Sequence, residues 1–149
     1  MAPRLQKILL VLLAVMLIGT VLAAVLFTKA VAGWQVAMRA GNETAAIQNL
    51  KTIAVVESTY FYSHNRRFGT FEQLVAEQML ANKFAANPVT VYGYNFTLAL
   101  TSDQAAYSIT ADPVSEREGT KHFYLDSVSR DLHFNSAQRA GPNDAVVNK

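Results

Sequence analysis

The sequence predicts an α+β fold: a long N-terminal helix, transmembrane and then amphipathic, packed against a small antiparallel sheet of three to four strands. Three observations carry this. Between Lys7 and Lys29 lie 21 residues without a charge. No proline occurs between Pro3 and Pro88, so nothing forbids one helix from about residue 4 to the low sixties. From Val91 onward apolar residues recur with a period of two.

The apolar run comes first. At ~1.5 Å per residue, 21 residues make roughly 32 Å of helix, enough for a ~30 Å hydrocarbon core. Lys7 and Lys29 flank the run, and Trp34 follows as an interfacial anchor. Arg4 and Lys7, with Ala30-Val31-Ala32 before Gly33, also resemble a cleavable signal peptide. Signal h-regions, however, run about 7–15 residues, and this run exceeds that. A retained anchor is therefore the reading. The short N-terminal flank favours a single pass through an inner membrane, with a cytoplasmic N-terminus and an exported head (periplasm or cell surface).

Charge follows the same division. Residues 1–38 carry only Arg4, Lys7 and Lys29, whereas 39–149 hold ten basic and eleven acidic residues, a net of −1. The basic surplus thus flanks the membrane, and no nucleic-acid surface is expected. The whole chain is 51% hydrophobic and 16% charged, too apolar for a disordered chain and too charge-poor for a purely soluble one. It holds no cysteine, which excludes disulfides, thiolate metal sites and a cysteine nucleophile.

Residues 43–64 place Ile47, Leu50, Ile53, Ala54, Tyr60 and Phe61 near one helical face. Glu57 stands within that stripe and is read as an edge residue or a partner for a nearby cation. Gly33, Ala37, Gly41 and Ala45 recur every four residues, the small-residue face that lets another helix approach closely. The helix should stop at Asn65 or Gly69. Thr70-Phe71-Glu72-Gln73 then fits a capping box. It opens a short helix with Phe71, Leu74, Val75 and Met79 on its apolar face, fading between Leu80 and Lys83.

The strands follow. Tyr92, Tyr94, Phe96, Leu98 and Leu100 form one alternating set; Tyr107, Ile109 and Ala111 a second; Phe123 and Leu125 a third; Leu132 and Phe134 a fourth. A sheet this small needs a cover, and the amphipathic helix is the obvious one. The expected organisation is a membrane-spanning part over 1–34, an α+β head over 35–135 and an irregular tail over 136–149.

Several segments, in this order, resemble the type IV pilin and type II secretion pseudopilin family. They are Asn42-Glu43-Thr44-Ala45-Ala46-Ile47-Gln48-Asn49-Leu50-Lys51-Thr52-Ile53, Phe68-Gly69-Thr70-Phe71-Glu72-Gln73-Leu74, Gly93-Tyr94-Asn95-Phe96-Thr97-Leu98, Tyr107-Ser108-Ile109-Thr110-Ala111-Asp112-Pro113 and Gly119-Thr120-Lys121-His122-Phe123-Tyr124-Leu125-Asp126. The resemblance implies a pilin-like fold and a structural role. The implied partners are the lipid bilayer, further copies or other pilin-like subunits, and assembly-platform proteins. The family's prepilin signature is a glycine before the mature helix, then usually phenylalanine, with a glutamate at the fifth mature position. Here Ala24 stands five residues past Gly19, and the first acidic residue is Glu43. Neither leader removal nor the assembly glutamate carries over. A membrane-tethered periplasmic binding or adaptor protein with a pilin-like head, forming no filament, is the alternative.

No phosphate loop, dinucleotide fingerprint or zinc-protease motif is present. No catalytic residue, cofactor or metal is therefore assigned, and the chain is read as non-enzymatic. His122 and His133, with Asp126 and Asp131 between them, are read as solvated sheet residues facing one side. Tyr60, Phe61, Tyr62, Phe68 and Phe71 are read as core. Asn42-Glu43-Thr44 and Asn95-Phe96-Thr97 match the N-glycosylation pattern, but they are read as the start of the amphipathic stretch and a strand.

Overall fold

Helical hydrogen bonding runs unbroken from the N-terminal proline into the head. The computed structural model describes residues 3–147, and α1 spans Pro3–Ser63. Two compact units divide at Ala37 and Met38, against the boundary after residue 34 read from the sequence. In the first unit α1 stands alone. Its apolar side chains from Ile8 to Phe27 are exposed, and the Thr20 and Thr28 hydroxyls donate to the Leu17 and Val25 carbonyls (2.8 and 2.9 Å).

In the second unit α1 becomes amphipathic. Ala46, Leu50, Ile53, Glu57 and Tyr60 are buried at alternating spacings of four and three, one helical face. Asn65 (φ 53°) ends the helix in the left-handed region, and the Arg66 amide reaches back to the Phe61 carbonyl (3.0 Å). That is the 6→1 bond of a Schellman motif, built here on asparagine instead of glycine.

The α2 helix (Phe71–Ala76) has the capping box expected of it: Thr70 accepts from the Gln73 amide, and the Gln73 side chain accepts from the Thr70 amide. It stops well short of the Leu80–Lys83 end read from its apolar spacing. Gln78 turns left-handed (φ 60°), and the Met79 amide closes back on the Leu74 carbonyl. A 3₁₀ turn (Asn82–Phe84) then inserts Phe84 into the core.

The sheet has six strands, not three or four. They are β1 (Val89–Val91), β2 (Tyr94–Leu100), β3 (Tyr107–Pro113), β4 (His122–Asp126), β5 (Leu132–Asn135) and β6 (Ala145–Val146). Each pairs antiparallel with the next, so the order is a meander, β1 to β6. Two strands escaped the period-two reading. Val91 and Tyr94 belong to different strands, joined by a two-residue turn at Tyr92 and Gly93 (φ 49° and 73°), the conformation that suits a tight hairpin. The two-residue β6 lies inside the tail read as irregular and pairs with β5 at Phe134↔Ala145. Residues 148–149 of that tail, and 1–2 of the membrane part, lie outside the described residues.

The inward face of the sheet follows the alternation. Tyr94, Phe96 and Leu98 on β2, Tyr107, Ile109 and Ala111 on β3, Phe123 and Leu125 on β4, and Leu132 on β5 are buried with the α1 stripe in one hydrophobic cluster. Each large apolar side chain so covered contributes roughly 1.5–3 kcal/mol. The exposed faces of β2 and β3 carry Asn95, Thr97, Ser108 and Thr110, half-buried.

Candidate functional site

The surface that differs most from an ordinary soluble domain is the first part of α1. Lys7 and Lys29 bracket exposed apolar side chains, and Trp34 is 65% exposed beyond them. Of the small-residue stripe, Gly33, Ala37 and Gly41 are exposed and Ala45 is half-buried. A methyl group added at Gly33 or Gly41 meets nothing within 4 Å. Among the described residues, Gly33 and Gly41 thus leave open space on the helix surface, while Ala46, one position past Ala45, belongs to the core.

Between Gly41 and Ala45, the β3–β4 loop grips α1 by polar contacts. Asn42 donates to both the Glu118 carbonyl (3.0 Å) and its carboxylate (2.8 Å). Glu43 accepts from the Thr120 amide and hydroxyl (3.1 and 3.0 Å) and lies 3.5 Å from the Lys121 ammonium. Gly119 makes this close approach possible, because a Cβ there would fall on the Tyr94 hydroxyl and ring. The Asn42 side chain in the first glycosylation pattern is thus engaged within the fold, and Asn95 in the second accepts from Thr90 (2.6 Å).

The histidines do not converge. On β4, the His122 Nδ1 lies 2.7 Å from Asp112, a nearly buried β3 residue whose other oxygen is 2.8 Å from the Arg139 Nε. His133, read as solvated, is buried, with its Nδ1 2.8 Å from the Asp144 carbonyl as the tail folds over β5. Asp126 is engaged elsewhere. Its Oδ1 accepts from the Val128 and Ser129 amides (2.9 and 2.7 Å) and fixes the β4–β5 turn. Among the described residues no three His, Asp or Glu side chains gather as a metal would require.

His64 sits between Ser63 and Glu77 in an order that resembles a nucleophile–base–acid set. Its Nδ1 is 2.9 Å from the Ser63 hydroxyl but also 3.0 Å from the Tyr60 carbonyl, and its Nε2 is 2.8 Å from Glu77. Ser63 already donates to the helix carbonyls of Thr59 and Tyr60. An Nδ1 that donates to the Tyr60 carbonyl carries the proton and accepts none from Ser63, whose own hydroxyl is spent on the helix carbonyls.

Glu57 departs from its sequence reading. It is neither at the edge of the stripe nor paired with a cation, but 0% exposed. Its Oε2 accepts from the Gly69 amide (2.9 Å), and its Oε1 has no hydrogen-bond partner among the described residues. Burial pushes its pKa up to about 7, against a smaller lowering by the Gly69 hydrogen bond. Periodicity does place Glu57 on the inner face, and that was the available signal.

Around it the aromatics pack as expected: Phe61 stacks on Phe68 (4.6 Å), Phe68 meets Tyr107 edge-on (4.7 Å) and Tyr60 lies flat on His64 (3.7 Å). Tyr62 is the exception, at 79% exposed. It borders an open cleft of about 220 Å³ with Ser58, Phe61, Phe68, Tyr107 and Arg130.

Compared with known proteins, the chain matches no family model, no curated protein and no solved structure.

Proposed function

We propose that this chain is a structural, non-enzymatic pilin-like subunit or accessory component of a type IV pilus or type II secretion pseudopilus, anchored and packed through its N-terminal helix. One observation carries the reading: the helix that exposes a bilayer-length apolar surface is also the helix on which the six-stranded sheet is built. A chain so made has its anchor and its scaffold in one element. The open face at Gly33, Ala37 and Gly41 supports a second helix as its neighbour, since small residues let backbones approach where dispersion and weak hydrogen bonds drive association.

The head is then exported, and its neighbours are further copies or other pilin-like subunits. Gly41→Leu should reduce crosslinking between copies, or to a partner, in membranes, while the head keeps its thermal unfolding transition. Crosslinking that stays at the wild-type level removes the packing face from the proposal. Electron microscopy of surface filaments, together with sequencing of the mature N-terminus, tests the assembly itself.

The second reading is a membrane-tethered periplasmic binding or adaptor protein that forms no filament. It is favoured by the absence of any acidic residue before Glu43, which leaves the apolar run without an ionisable pairing group. Recovery of pilus-assembly components with the purified protein supports the first reading, and their absence with intact membranes supports the second.

A further inference from the structure

We propose that Glu57 is a proton-operated latch: with its carboxyl protonated the segment 64–70 stays closed over α1, and on ionisation that segment opens and admits water to the carboxylate. The geometry is that of an acid held where its charge has no counterpart. Glu57 is fully buried, one oxygen is bound by the Gly69 amide, and the other touches no donor. Among the described residues no lysine, arginine or histidine pairs with it.

The groups facing it from each neighbouring element do not supply that charge. On α1 it meets Tyr60, whose ring is stacked on His64. Just past α2, Glu77 is paired with His64 and acts together with Glu57 on Tyr60. From β3 comes Tyr107, pushed up to about 12 chiefly by burial and then by the Glu57 carboxylate. Asp126, the last residue of β4, and Arg130, in the β4–β5 turn, also act on Tyr107. A protonated carboxyl is tolerated in such surroundings, whereas an ionised one must reach water or a donor.

Segment 64–70 is what yields. The helix and the strands around Glu57 are tied by regular ladders. The segment is held instead by single contacts: the Arg66 and Arg67 amides on their own turn, His64 on Glu77 (2.8 Å), Phe68 on the Gln104 carbonyl (2.9 Å) and stacked on Phe61, Thr70 in the α2 capping box, and Gly69 on Glu57 itself. Two of its residues, Asn65 and Arg66, sit at positive φ. Gly69 is wedged between Leu74 and the Tyr60 ring, so any outward movement of Gly69 uncovers the carboxyl. Single contacts in place of a ladder, and two left-handed residues in the turn, are the marks of a locally opening segment.

The test uses the full chain in detergent micelles. Infrared spectroscopy follows the stretch of a protonated buried carboxyl, assigned by its loss in Glu57→Gln, from about pH 5.5 to about pH 8.5. Amide exchange at Phe68 and Gly69, corrected for its intrinsic pH dependence, is followed over the same range. The expected result is a band that disappears as exchange rises, by about tenfold per pH unit until the band is lost, and exchange that levels off once the carboxyl is ionised. In Glu57→Gln the exchange should stay flat, and in His64→Gln the rise should persist. A carboxyl ionised throughout, exchange that ignores the loss of the band, the same rise in Glu57→Gln, or abolition of the rise in His64→Gln would each overturn the latch. If Glu57→Gln does not fold, the coincidence of band and exchange in the wild type, with His64→Gln, still decides.

Discussion

In the unfolded chain Glu57 titrates near 4.5, and in the folded head near 7, because burial penalises the charged form. The folded state therefore holds the proton more tightly between these values, and stability falls as pH rises through that window. Taken over the whole shift, the loss is on the order of 3 kcal/mol, complete above neutrality. Denaturant unfolding of the head at a series of pH values should show this slope, and Glu57→Gln should flatten it. Gly119 is a second residue whose identity is dictated by its neighbours. Its missing Cβ leaves room for Tyr94, a fully buried ring whose hydroxyl donates to the Lys121 carbonyl (2.9 Å). Tyr94 cannot retreat without disturbing β2, so Gly119→Ala should destabilise the head by about 1–3 kcal/mol, the usual range for overpacking. Unfolding in urea measures it. Glu57 was visible in the sequence as an acid on an apolar stripe, but its lack of a cation was not. No lysine or arginine stands close by in the chain, and only the closed fold shows that none arrives from β3 or α2.

At the level of the element, local chemistry explains most of what forms. The α2 capping box was legible because all its parts lie within four residues, Thr70 to Gln73. Thr70→Ala removes the side-chain acceptor and should cost about 1 kcal/mol, read as a lowered melting temperature with the α1 core unchanged. Its end was not legible. Apolar residues continue through Val75, Met79 and Leu80, yet Gln78 turns left-handed, a conformation that nothing in its side chain announces. The strands divide in the same way. β2 and β3, seven residues each, declared themselves by alternation. β1, three residues long, and β6, with two, are too short to show a period. Their pairing depends on neighbours already in place. The contact of His122 with Asp112 belongs to this class as well. It follows from the register in which Ala111 faces Phe123, and register is a tertiary property.

Over the whole chain, two units are built on two different solvents. The head buries its apolar side chains against itself, whereas Ile8 to Phe27 expose theirs along a helix long and apolar enough to cross a membrane. Leu17→Arg puts an ionised group near the middle of that run, at a cost of about 2.5–3.5 kcal/mol for insertion. The variant should shift from the membrane pellet toward the soluble fraction on alkaline extraction, while the head retains its unfolding transition. The sequence by itself determined the apolar span, the helical continuation and the four longer strands. Each of these rests on spacing within one segment, where 21 uncharged residues or a period of two is enough. Only the tertiary structure decided the count of six strands, the open face at Gly33 and Gly41, the grip of the β3–β4 loop on Asn42 and Glu43, and the isolation of the Glu57 carboxyl. Those depend on residues far apart in the chain, and whether a group finds a partner or a void is settled when distant elements pack.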